Sequence, residues 1–176
     1  MFKTRLLSGI VLVIAAIFLI VTGNEVLLFS TLLISCIGMF ELFRVFKFEK
    51  SLLSVVTYIA LILFYINLRW SFIPDVMMLF MGFLIVLMFV YVLSYPKYDA
   101  KQLMAAFFGM FYVGTMLSYV YQIRTLNNGL YLAFLVFLCS WGCDTCAYCV
   151  GVLIGKHKMA PKLSPKKSIE GAVGGV

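Results

Sequence analysis

Long uncharged apolar stretches alternate along this chain with short breaks that hold nearly all of its charge. The stretches cover residues 6–22, 26–40, 52–68, 76–95, 103–121 and 130–155. Runs of this character suit helices that cross a hydrocarbon core about 30 Å thick. The pattern therefore predicts an all-α fold, a polytopic transmembrane helical bundle of six spans. Pro74, Pro96, Pro161 and Pro165 all fall outside the span interiors, where a missing backbone N–H is tolerated. Lys3 and Arg5 ahead of the first run also suit a secretory signal. No small-residue cleavage pattern follows Val21, however, and more spans come at once, so the run is read as a span.

Composition agrees with this reading. Of the 176 residues, 64% are hydrophobic and 12% charged, where soluble domains carry about half and roughly a quarter. A disordered chain, a disulfide scaffold and a nucleic-acid-binding module are excluded, so nucleic acid is not an expected partner. Basic residues outnumber acidic ones by 14 to 7, and their placement is more telling than their number. Twelve lie in the N-terminal segment, the second and fourth breaks and the tail, while Arg69 and Arg124 alone occupy the alternate breaks. This asymmetry places the N-terminus and the tail from Lys156 in the cytoplasm. With no repeat and no linker, residues 1–176 read as one membrane-embedded domain that carries a cytoplasmic basic segment at 156–171.

Cys36 stands alone, whereas Cys139, Cys143, Cys146 and Cys149 crowd the last span. Their spacing superficially suits an iron–sulfur ligand run, but an uninterrupted apolar helix cannot wrap a cluster, and cysteine there acts as a small hydrophobe. Asp144 is more informative. It is the only charged residue between Leu130 and Gly155, about 16 Å along a continuous helix from Gly155. A carboxylate at that depth is expected to face a polar cavity, pair with a cation, bind a metal or be protonated. Ser140, Tyr148, Gly151 and Gly155 share its side of the helix. The alternative is that Gly151 and Gly155 only admit a close helix neighbour and that Asp144 is a packing hydrogen-bond partner.

The tail carries Lys156, His157, Lys158, Lys162, Lys166 and Lys167, interrupted by Pro161 and Pro165, and ends in a helix-like start. Such a segment suits either an anchor on anionic headgroups or a phosphate site, in which ammonium groups, a hydroxyl and free N–H groups hold phosphate oxygens.

The order of residues separates these readings. Asp144-Thr145-x-Ala147-Tyr148, then Gly151-x-x-x-Gly155-Lys156-His157-Lys158, then Ser164-Pro165-Lys166-Lys167-Ser168-x-Glu170-Gly171 closely resembles the cytoplasmic segment of the bacterial phosphatidate cytidylyltransferases, the CDP-diacylglycerol synthases. Glu41-Leu42-Phe43-Arg44 is similar to the family as well. The resemblance implies a multi-pass enzyme of the cell's inner (cytoplasmic) membrane. It would transfer the cytidylyl group of CTP to phosphatidic acid, releasing pyrophosphate, with Mg²⁺ as cofactor. Asp144 is then the expected catalytic metal contact, and Lys166 and Lys167 the expected contacts to phosphate oxygens, Lys167 being catalytic. Lys156 and Lys158 would touch headgroups. Ser164 and Glu170 would shape the loop, Glu170 by pairing a lysine or capping the following helix. His157 is not needed as a base, because a phosphate monoester dianion already lacks the proton. Expected partners are CTP, phosphatidic acid, membrane lipids and, as a homodimer, a second copy of the chain.

Two departures accompany the resemblance. Cysteines surround Asp144 where the family more often has small or aromatic residues. In addition, the chain ends at Val176 within what reads as another span, ahead of the family's later signature rich in Lys, Asp, Gly and His. The expectation is an N-terminal part of a cytidylyltransferase, incomplete or truncated. The alternatives are a transferase acting on another lipid phosphate, a non-enzymatic truncated membrane paralogue, or a transporter. Against transport, ionisable residues are absent from every span but the last.

Overall fold

The structure is a computed structural model that describes the backbone of residues 2–161 and 164–176, together with their side chains apart from those of residues 2–6, 165 and 166. Its helices are α1 (Phe2–Thr22), α2 (Asn24–Val45), α3 (Leu52–Trp70), α4 (Val76–Leu93), α5 (Ala100–Phe108), α6 (Met116–Arg124), α7 (Gly129–Ile154) and the short α8 (Ile169–Gly174). A π-helical stretch, Gly109–Thr115, joins α5 to α6, so that Ala100–Arg124 runs as one element. Among the described residues, five helices are long and apolar enough to cross a membrane: α2, α3, α4, Ala100–Arg124 and α7. The described apolar part of α1, Leu7–Thr22, is shorter. Every apolar run of the sequence thus lies in a helix, and the protein is a nearly all-α, multi-pass membrane protein. The exception is an antiparallel hairpin of β1 (Lys158–Ala160) and β2 (Ser164–Ser168), which hydropathy gave no reason to expect.

Helix ends follow local chemistry. Ser51 caps α3, accepting from the Ser54 N–H at 3.2 Å while Ser54 Oγ accepts from the Ser51 N–H. Asp75 accepts from Met77 at the start of α4 at 2.9 Å. Asn67 closes the turn between these helices, donating to the Ile73 carbonyl and accepting its N–H at 2.7 Å. α2 runs five residues beyond the apolar stretch, because Glu41 and Arg44 continue the helix at its polar end. It stops at a left-handed Lys47, with the Phe48 N–H returning to the Phe43 carbonyl.

The chain forms two compact units, Met1–Asn127 and Asn128–Val176. In the first, α2, α3 and the π-helical stretch close around Met39, Phe43, Leu61, Phe64, Ala106 and Met110, all nearly solvent-free. Small residues admit this approach. A Cβ on Gly109 would lie 3.0 Å from the Phe43 ring, and one on Gly114 would strike the Leu61 side chain. The buried Ser35 and Tyr65 hydroxyls pair at 3.0 Å, and Tyr65 also donates to the Gly114 carbonyl within the π-helical stretch. Widened turns of that kind leave a carbonyl free to take a side-chain donor. Phe64, Phe80, Phe111, Phe107 and Phe83 stack in sequence and tie α3 and α4 to the π-helical region. The two basic residues of the alternate breaks are both engaged: Arg69 pairs with Glu25, and Arg124 donates to the Ile20 carbonyl at the end of α1 at 2.8 Å.

Candidate active site

The second unit builds the segment that the sequence singled out. α7 ends at Gly155, whose extended backbone turns the chain into the hairpin. Pro161 and Pro165 block a helix there. Pro165 is tolerated in β2 because a two-stranded sheet leaves one edge of each strand unpaired. Ser168 then caps α8, accepting from the Gly171 N–H at 3.2 Å.

α8 runs back along α7 on a seam of glycines. A Cβ on Gly155 would stand 2.5 Å from Ser168 Oγ, and one on Gly171 would stand 2.7 Å from the Ala147 carbonyl. Gly174 lies against Val150, and Gly175 against Cys143 and Ala147. The predicted face of small residues on α7 is therefore divided. Gly151 and Gly155 are closely approached by Ser168, whereas Ser140, Asp144 and Tyr148 are exposed. The reading in which these glycines admit a close neighbour holds, and the neighbour is the chain's own next element.

Glu170 is the centre of the hairpin's hydrogen bonding. Its carboxylate accepts the Lys156 N–H at 3.1 Å, the His157 N–H at 3.2 Å and the His157 ring at Nδ1 at 2.6 Å. The His157 ring, followed by the backbone N–H groups, holds this carboxyl at about 2, far below the ordinary carboxylate range. The His157 carbonyl in turn accepts from Ile169 at 2.9 Å. Among the described residues Glu170 pairs with His157, because the turn at Gly155 brings residues 156 and 157 to the first turn of α8. The helix cap is Ser168, which precedes the first helical residue, whereas Glu170 already lies within the helix.

The cations are displayed around this clamp. Lys156, Lys158 and Lys167 are exposed, and Lys158 lies opposite Ser168 in the ladder. Ser164 is half-buried opposite Ala160. Lys166 lies on β2 with its side chain outside the described residues, and Lys162 lies outside them altogether. Asp144 carries no hydrogen bond or ion pair among the described residues. The structure brings Lys156, His157, Ser168 and Glu170 together, and does not join Asp144 to any described cation. Sequence reasoning missed the His157–Glu170 pair, since its partners are thirteen positions apart across a hairpin that no periodicity announced.

The model of the Cytidylyltransferase family matches residues 3–176. The chain belongs to that family. The cytidylyltransferase is 30% identical over 183 residues to the phosphatidate cytidylyltransferase of Bacillus subtilis (strain 168), covering 99% of this chain and 67% of that one. It is 29% identical to the protein of the same name from Staphylococcus saprophyticus and 30% identical to that of Staphylococcus aureus (strain COL), with the same coverage. The cytidylyltransferase thus spans about two thirds of the length of these relatives. No solved structure matches it significantly.

The donors available to a metal in this cytidylyltransferase are limited. Among the described residues, no three His, Cys, Asp or Glu side chains converge on one point. Glu170 already accepts three N–H groups, which leaves the exposed Asp144 as the carboxylate of the unit without a hydrogen-bond partner among the described residues. One hard oxygen donor does not make an all-protein metal cage. It does fit magnesium, which keeps several waters and is held by one or two carboxylates together with substrate phosphates.

Proposed function

We propose that this cytidylyltransferase transfers the cytidylyl group of CTP to phosphatidic acid, forming CDP-diacylglycerol and pyrophosphate, at the cytoplasmic face of the inner membrane. The observation that carries this reading is the hairpin after α7, a scaffold pinned by Glu170 and His157 that exposes Lys156, Lys158 and Lys167 beside an apolar helix. Cationic groups at that boundary suit a reaction between a soluble nucleotide and a lipid phosphate.

In the reaction a phosphate oxygen of phosphatidic acid attacks the α-phosphorus of CTP. A new P–O bond forms, the bond from the α-phosphorus to the bridging oxygen of the β-phosphate breaks, and pyrophosphate leaves with the electron pair. Both reactants are anions, so the barrier lies in bringing them together in line. Lys167, with Lys166 beside it in sequence, neutralises the departing pyrophosphate, and Lys156 and Lys158 hold the lipid phosphate. No general base is required, and His157 instead keeps Glu170 and the hairpin in place. Asp144 would hold the magnesium, which supplies further charge neutralisation at the phosphates when bound.

The test is incorporation of cytidine-labelled CTP into lipid by membranes that contain the chain, with and without added phosphatidic acid and magnesium. Labelled CDP-diacylglycerol that requires both, and that falls at least a hundredfold in Asp144→Asn and Lys167→Ala, supports the reading. A labelled lipid formed only from a different lipid phosphate, or a signal indifferent to both substitutions, overturns it.

A further inference from the structure

Two adjoining features of the first unit have no part in the reaction above. The first is a cavity of about 350 Å³ formed by the α2–α3 and α4–α5 connections. Lys47, Lys50 and Lys97 line it together with Ser51, Tyr98 and one acid, Glu49. Tyr98 is 5% exposed; its hydroxyl accepts the Leu52 N–H at 3.1 Å, and its own hydrogen has no acceptor among the described residues. Lys97 lies with its ammonium 5.5 Å from the Tyr98 ring centre. Three ammonium groups, a spare phenolic donor and a serine hydroxyl around one opening form a site for an anionic oxygen cluster, of which a phosphate is the common case.

The second is a groove of about 360 Å³ between α3 and α4, lined entirely by apolar side chains and glycine. Val56, Ile59 and Leu63 of α3 face Met78, Gly82 and Val86 of α4. Gly82 opens its floor, since a Cβ there would meet nothing within 4 Å. The two features share one helix face. Leu52 lines the basic cavity and Val56 the groove, so the groove begins one turn, about 6 Å, below the cavity. α4 leads from the far end of the groove back toward Lys97 and Tyr98.

We propose that α3, α4 and the two flanking connections form a site for an anionic phospholipid. Its headgroup phosphate enters the lysine-lined cavity and an acyl chain lies along the α3–α4 groove. A free phosphate would use the cavity alone. A zwitterionic lipid would use the groove but would bring a compensating cation to the lysines. Only a lipid with net negative charge satisfies both features together.

The test is native mass spectrometry of the full chain released from detergent micelles, titrated with phosphatidylglycerol or phosphatidylcholine of matched acyl chains. Phosphatidylglycerol is expected to bind at least tenfold more tightly. The triple variant Lys47→Gln, Lys50→Gln, Lys97→Gln should lose that preference, while Lys101→Gln, a nearby lysine that does not line the cavity, should retain it. Gly82→Leu, which fills open space, should weaken phosphatidylglycerol at least threefold with an unchanged melting temperature. A preference that survives the triple variant overturns the proposal. So does full displacement of the lipid by millimolar inorganic phosphate together with no effect of Gly82→Leu, because that result describes a soluble-phosphate pocket.

Discussion

Among the described side chains of the hairpin and α8, Glu170 makes the most hydrogen bonds, because one carboxylate satisfies two main-chain donors and a ring nitrogen at once. Its depressed pKa fixes the sign of the pH response. Stability that arises from the charged form is fully present above the ordinary glutamate value of about 4.3 and is lost as pH falls through about 2. The hairpin should therefore hold unchanged protection from pH 8 down to about 5 as far as Glu170 is concerned. Glu170→Gln should speed amide hydrogen exchange at Lys156 and His157 at least tenfold at pH 7. Asp144→Asn is expected to behave in the opposite way, abolishing cytidylyl transfer while exchange in the hairpin stays at the wild-type rate. These two acids also divide what the sequence made legible. Asp144 was conspicuous as a lone charge in an apolar run, a property of its neighbours in the chain. The role of Glu170 depends on a contact through space, and the nearest clue was only that a carboxylate followed a run of cations.

The α7–α8 seam is an element-scale device in which backbones meet because the side chains are absent. Gly155→Ala would drive a methyl group into Ser168 and into the preceding turn of α7, and should destabilise the second unit by about 1–3 kcal/mol. Gly174→Ala meets the branched Val150 side chain and belongs in the same range. Gly142→Ala, on the same helix but with nothing near its Cβ, should be neutral or raise stability slightly. Thermal unfolding of the three variants in one detergent measures the ranking, and an equal loss at Gly142 and Gly155 would contradict the seam. The apolar helices themselves were plain in the sequence, since each is a long run with polar ends. The hairpin was not, for its strands are only three and five residues long, one reads Lys-Met-Ala and the other Ser-Pro-Lys-Lys-Ser, and neither is long enough or regular enough to show an apolar alternation.

For the whole molecule, the distribution of charge makes a statement about orientation that can be measured directly. Twelve basic residues on one set of breaks and two on the other predict that a fluorescent protein fused after Val176 lights up in the cytoplasm. Alkaline phosphatase fused in the α3–α4 connection should be active, and inactivity there would reverse the topology. The two exceptional arginines are each engaged locally, Arg69 in an ion pair with Glu25 and Arg124 by hydrogen bonds to the carbonyls at the end of α1.

The glycine seam also bears on how the chain comes together during synthesis. α8 folds back on the helix that immediately precedes it, and only residues 155–168 lie between them. Nothing distant in the chain has to be found first, and short loop closures are the fastest steps available to a polypeptide. The hairpin and α8 can thus assume their final form while they are still emerging from the ribosome, as an autonomous folding event with its own clock.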